Sequence, residues 1–129
     1  MKNSSNINLV SLLTLQEYAS FGYIIASIVA IMLAEYRKKM ITNQKTIMNT
    51  KEANYLNIFN HVGILILTLT FLYVNQITLK NAEDNNENTS LLSLQYDASI
   101  LNVLAAILVL YVILNSSNNK ISNIENPEL

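Results

Sequence analysis

The chain contains no cysteine. Disulfides, thiolate nucleophiles, iron–sulfur clusters and thiolate zinc sites are therefore excluded together, and the redox compartment leaves no mark on the composition. There is one histidine and there are two aspartates. With no glycine-rich phosphate loop and no His/Glu zinc spacing, no catalytic constellation can be assembled, and neither an enzyme nor a bound cofactor or metal is expected. Charge is also scarce: Asp, Glu, Lys and Arg make up 13% of 129 residues, against about a quarter in an ordinary soluble domain. A soluble protein this small has more surface to cover for its volume and should carry more charge than average, not less. The formal net charge of −1 lacks the clustered basic excess that neutralises phosphates, so nucleic acid is not an expected partner.

What the chain does have is three uncharged apolar windows. "YASFGYIIASIVAIMLA" covers 18–34, a second runs roughly over 58–79, and "ASILNVLAAILVLYVIL" covers 98–114. At 1.5 Å per residue, about 20 residues cross a hydrocarbon core of about 30 Å. Core helices of a soluble bundle need a charged outer face, which these windows do not offer. Tyr18, Tyr36, Tyr55 and Tyr96 stand near span ends, where an amphipathic ring suits the headgroup level. The fold class is therefore an all-α integral membrane protein forming a single domain, with spans at about 18–35, 57–79 and 97–115.

The N-terminal "MKNSSNINLVSLLTLQEY" has one lysine, a short interrupted apolar stretch and no small-residue cleavage site, so it is expected to stay in the mature chain. Ile7, Val10, Leu12, Leu13 and Leu15 suit a short interfacial helix; a frayed tail is the other reading. The connection 36–55 carries Arg37, Lys38, Lys39, Lys45 and Lys51 against Glu52, while 80–96 carries Lys80 against Glu83, Asp84 and Glu87. Basic short loops stay in the cytoplasm. The first connection is thus expected inside and the acidic one outside, which puts the N-terminus outside and the polar tail 116–129 inside, in what the charge bias suggests is a bacterial cytoplasmic membrane. Arg37, Lys38 and Lys39 are placed to meet anionic headgroups. Met40, Ile41, Ile47 and Met48 recur at near-helical spacing, which extends the first span beyond the bilayer.

Two helix faces suggest contact. Gly22, Ala26, Ala30 and Ala34 recur every four residues, with Ala19 on the same side. Such small residues let helix backbones approach closely in lipid. In the second span Asn57, His61, Thr68 and Asn75 fall within about 40° of one another around the helix, and Asn60 lies about 60° to one side. Polar groups inside a bilayer need a partner or water. The stripe either packs against neighbouring helices or, in copies, lines a pore; a proton relay through His61 is the weaker option because no chain of acids accompanies it. His61 and Glu35 lie near the same ends of their spans and form a possible pair, against the simpler pairing of Glu35 with Lys39. In the third span Asn102 shares a side with Ala98, Ala105 and Ala106, again a packing face, and Asp97 is placed to cap the helix start.

These features predict a small non-enzymatic protein acting by helix–helix association, with the lipid bilayer and other membrane subunits, or its own copies, as partners. An accessory or regulatory subunit of a larger membrane assembly is the leading expectation. In length, span count and orientation the chain also resembles the three-span class of phage holins, which implies a homo-oligomer that permeabilises the membrane; it departs from that class in lacking a basic tail. A membrane immunity protein against a toxin is a third reading.

Overall fold

The structure, a computed structural model, describes the backbone of residues 2–119 and the side chains of residues 8–116. The chain's one proline, Pro127, comes after all of these. No residue before it lacks the backbone N–H that an α-helix needs to continue. The result is three long helices: α1 (Lys2–Ile41), α2 (Thr50–Asp84) and α3 (Ser90–Asn119). They hold 40, 35 and 30 residues. Even the shortest, at about 45 Å, is longer than a bilayer core of about 30 Å.

Each helix contains a stretch long and apolar enough to cross a membrane, within Asn8–Ile41, Thr50–Asp84 and Ser90–Ser116. No more than 22% of any of these apolar windows is buried inside the chain. Ile28 and Ile31 on α1, Phe59 and Ile66 on α2, and Leu101 and Leu108 on α3 all face outward. Water would require charge on such surfaces and lipid does not. This is the make-up of a small membrane protein.

The helices overrun the spans read from hydropathy. The N-terminal segment is neither a separate interfacial helix nor a frayed tail, because α1 runs unbroken from Lys2 through it. The connections shrink to 42–49 and 85–89. Much of "NAEDNNENTS" is thus helix, and Ile47 and Met48 lie in a turn. Asparagine does the terminating work. Asn43 and Asn86 take left-handed φ values of 54° and 55°, a conformation asparagine tolerates better than most side chains. The next residue in each case reaches back to close the helix end, Gln44 N–H to the Lys39 carbonyl at 2.9 Å and Glu87 N–H to that of Ala82 at 3.0 Å. α2 opens with a capping box: Glu52 N–H donates to Asn49 Oδ1 at 2.8 Å and Asn49 N–H to Glu52 Oε2 at 3.0 Å. Asp97 is not a cap, since it lies within α3; the start of that helix is served by Asn88 Oδ1, which accepts from Ser90 N–H at 3.0 Å and Ser90 Oγ at 2.8 Å. The tail beyond Asn119, with Lys120, Glu125 and Glu128, lies outside the described residues.

Short turns make the helices run alternately up and down, and α2 is the middle member in space as well as in sequence. It packs against both α1 and α3, whereas among the described residues no Cα of α1 comes within 8 Å of one in α3. The α1 seam is Leu12, Ala19, Ala26 and Leu33, all buried and spaced by seven. A step of seven drifts only about −20° around a helix, whereas a step of four drifts about +40°. The ladder of fours therefore leaves the seam: Ala26 is buried, Gly22 and Ala30 are half-buried, and Ala34 is exposed.

Gly22 is a site of close packing against α2. A methyl group built there would stand 2.6 Å from Leu67 Cδ2, while one on Gly63 would meet nothing within 4 Å. A Gly22→Val substitution is predicted to lower stability by about 1–3 kcal/mol through overpacking, with Gly22→Ala milder because the end of Leu67 can turn aside. Gly63→Ala is predicted to be neutral or stabilising. Reversible unfolding in mixed micelles measures all three.

Candidate functional site

The polar residues of α2 share a face but not a partner. Asn57, Asn60, His61 and Thr68 are buried and Asn75 is half-buried, and their hydrogen bonds divide between two neighbours and the helix itself. Toward α1, Asn60 Nδ2 donates to the Ala26 carbonyl at 3.1 Å. The absence of bulk at Ala26 lets the carboxamide reach backbone, and a carbonyl oxygen has a second lone pair to offer. Toward α3, Asn75 Nδ2 donates to Ser99 Oγ, and Asn75 Oδ1 accepts from Gln95 Nε2 at 3.0 Å. Ser99 Oγ in turn donates to the Gln95 carbonyl at 3.0 Å. Asn75 thereby acts as donor and acceptor across one interface.

Thr68 and His61 bond within α2 itself. Thr68 Oγ1 donates to the Leu65 carbonyl at 2.8 Å. His61 Nδ1 lies 3.0 Å from the Asn57 carbonyl; a carbonyl only accepts, which places a proton on Nδ1. Asn60, read from sequence as lying to one side of the stripe, ties the buried part of α1 to α2. Gln95 and Ser99 were not singled out by sequence, although their i, i+4 spacing put two polar groups on one side of α3.

His61 and Glu35 do not meet. The Asn60–Ala26 bond sets the turn carrying His61 level with Ala26, and Glu35 lies nine residues further along α1, about 13 Å at the helical rise. Glu35 is exposed and reaches Lys38 at 3.8 Å, one residue short of the expected Lys39. With both partners in solvent the pair contributes little. Arg37, Lys38 and Lys39 occupy the last turns of α1, where positive charge is favoured by the helix dipole. At the same end Tyr36 Oη donates to Thr50 Oγ1 at 3.1 Å, joining α1 to the start of α2.

Because α1 and α3 stand apart, a groove of about 560 Å³ lies between them. Its floor is α2, through Ile64, Thr68, Phe71 and Asn75. On one wall stands Tyr23 of α1, its ring 5.6 Å from that of Phe71. The other wall is α3, with Ala98, Asn102, Ala105 and Ala106. Those four residues were expected to share a packing face, but inside the chain α3 packs on α2 through Ser99, Val103 and Ile113, which are buried. Ala106 is half-buried beside them, whereas Ala98, Asn102 and Ala105 are exposed to the groove. Asn102 makes no hydrogen bond within the described residues. Nor do three or more His, Asp or Glu side chains gather among those residues to hold a metal.

Asn60→Leu is predicted to weaken the α1–α2 contact by about 1 kcal/mol, the usual size of an interhelical hydrogen bond in lipid. Asn75→Leu is predicted to cost more, because it strands Gln95 Nε2 as well as removing the bond to Ser99. Unfolding in mixed micelles reads both, and equal losses would contradict the reciprocal role of Asn75. Compared with protein-family models, with curated proteins and with solved structures, the chain matches none.

Proposed function

We propose that the chain is a non-enzymatic membrane subunit that works by taking up a transmembrane helix in the groove between α1 and α3. The observation that carries this reading is the exposed face of Ala98, Asn102 and Ala105 beside a polar and aromatic floor. Lipid tails offer no hydrogen bond to a carboxamide, and small residues favour close helix contact. The association surface is then not the one expected from sequence, since Ala26 and the α2 stripe are used inside the chain. That same burial turns the reading away from a pore lined by α2: Asn57, Asn60, His61 and Thr68 are covered within one copy.

The protein sits in a bacterial cytoplasmic membrane with the turn 42–49 and the C-terminus inside, by the positive charge of Arg37, Lys38, Lys39, Lys45 and Lys51 at one end and the negative charge of Glu83, Asp84 and Glu87 at the other. In the cysteine-free chain, a membrane-impermeant thiol reagent is predicted to label Glu87→Cys in intact cells and Lys45→Cys only after the membrane is opened. The reverse pattern would invert the topology. For the groove, native mass spectrometry after mild extraction is predicted to show an assembly heavier than one chain. Ala105→Phe, which fills the groove, should dissociate it, and Leu104→Phe on the far side of α3 should not. A bare monomer, or equal behaviour of the two variants, would remove the reading.

A further inference from the structure

We infer that the helix received by the groove is α3 of a second copy, in a two-fold symmetric dimer with Asn102 paired to Asn102 across the axis. This rests on the groove being an association site, and names its occupant.

The inference starts from Asn102. It stands within the uncharged run 98–114, is exposed on the groove wall, and makes no hydrogen bond among the described residues. The other asparagines deep in the spans do better: Asn60 reaches the Ala26 carbonyl and Asn75 bridges Ser99 and Gln95. A carboxamide facing lipid is costly, so its cover must bring both an acceptor and a donor. Acyl chains bring neither. A foreign helix would have to present a polar group at the depth of Asn102. A second copy inserted the same way does so necessarily, because a two-fold axis along the membrane normal sets each residue level with itself. One carboxamide then donates to the oxygen of the other and accepts in return, so the site is its own complement.

The surroundings fit that geometry. Relative to Asn102, Ala98 and Ala105 lie about 40° and 60° to one side, away from the Ser99 and Val103 seam that holds α3 to α2. Small residues thus flank the carboxamide one turn below and one turn above, on the side open to a neighbour. Leu104 and Tyr111 are also exposed but point to the opposite side of α3, where lipid suffices. As the two α3 helices meet, each lies along the groove of the other copy, between Tyr23 and its own alanines.

The absence of native cysteine makes the test clean. Single Ala98→Cys, Ala105→Cys and Leu104→Cys variants of the full chain are oxidised in the membrane with copper phenanthroline. Disulfide-linked dimers are expected at Ala98 and Ala105, at least five-fold more than at Leu104. Adding Asn102→Leu to Ala98→Cys should reduce the dimer several-fold, and Asn102→Gln should retain most of it. Because Asn102 has no hydrogen-bond partner among the described residues, Asn102→Leu should keep the monomer's helix content and unfolding midpoint, which circular dichroism checks. Equal cross-linking at Leu104, or dimer unaffected by Asn102→Leu, would overturn the pairing. So would maleimide adducts to a foreign protein at Ala98 without self-adducts, although the groove would then remain an association site. Adducts of neither kind would overturn both.

Discussion

Hydrocarbon supplies no hydrogen bonds, and the arrangement of this chain follows from where its polar side chains find them. The backbone is satisfied by helix formation alone. Side-chain amides are not, and α2 carries several within its span, at Asn57, Asn60 and Asn75. They lie within about 60° of one another, so one face of α2 has to be covered along its length, and a single neighbouring helix does not reach both Asn60 and Asn75. That places α2 between the other two, with Asn60 bonded to α1 backbone and Asn75 bonded to two side chains of α3.

The middle position of α2 has a cost elsewhere. α1 and α3 are each anchored along one seam, Leu12, Ala19, Ala26 and Leu33 on the first and Ser99, Val103 and Ile113 on the second. Their backbones stay apart, and they leave a groove whose floor is α2. A closed three-helix bundle would bury Asn102; this open one presents it. The proposed function by association builds on the same feature, since a carboxamide facing lipid is costly and small walls favour close helix contact.

That three helices are long and apolar enough to span was legible in the sequence, because about 20 apolar residues without charge suit a hydrocarbon core and little else. Helix ends were not. Asn43, Asn86 and the acidic run at 83–87 read as loop by composition, yet asparagine here closes helices by adopting left-handed backbone, and Glu83 and Asp84 belong to the last turn of α2. The ladder at Gly22, Ala26, Ala30 and Ala34 was seen by residue type, but which of its members face a neighbour depends on the seven-residue drift of a paired helix. Sequence also showed that Asn75 needed a partner without showing which one. Gln95 and Ser99 come 20 and 24 residues later, beyond a turn shorter than its polar composition suggests.

The inward turn of the α2 amides is the point on which everything else stands, and the Asn60–Ala26 contact reports it most directly. Solid-state NMR in lipid bilayers, with ¹⁵N in the Asn60 carboxamide and ¹³C in the Ala26 carbonyl, measures that distance. Strong dipolar dephasing, as required by the 3.1 Å hydrogen bond between Nδ2 and the carbonyl oxygen, is the predicted result. Absence of dephasing in a folded, bilayer-inserted sample would mean that Asn60 faces elsewhere, and the placement of α2 between α1 and α3 would fail with it.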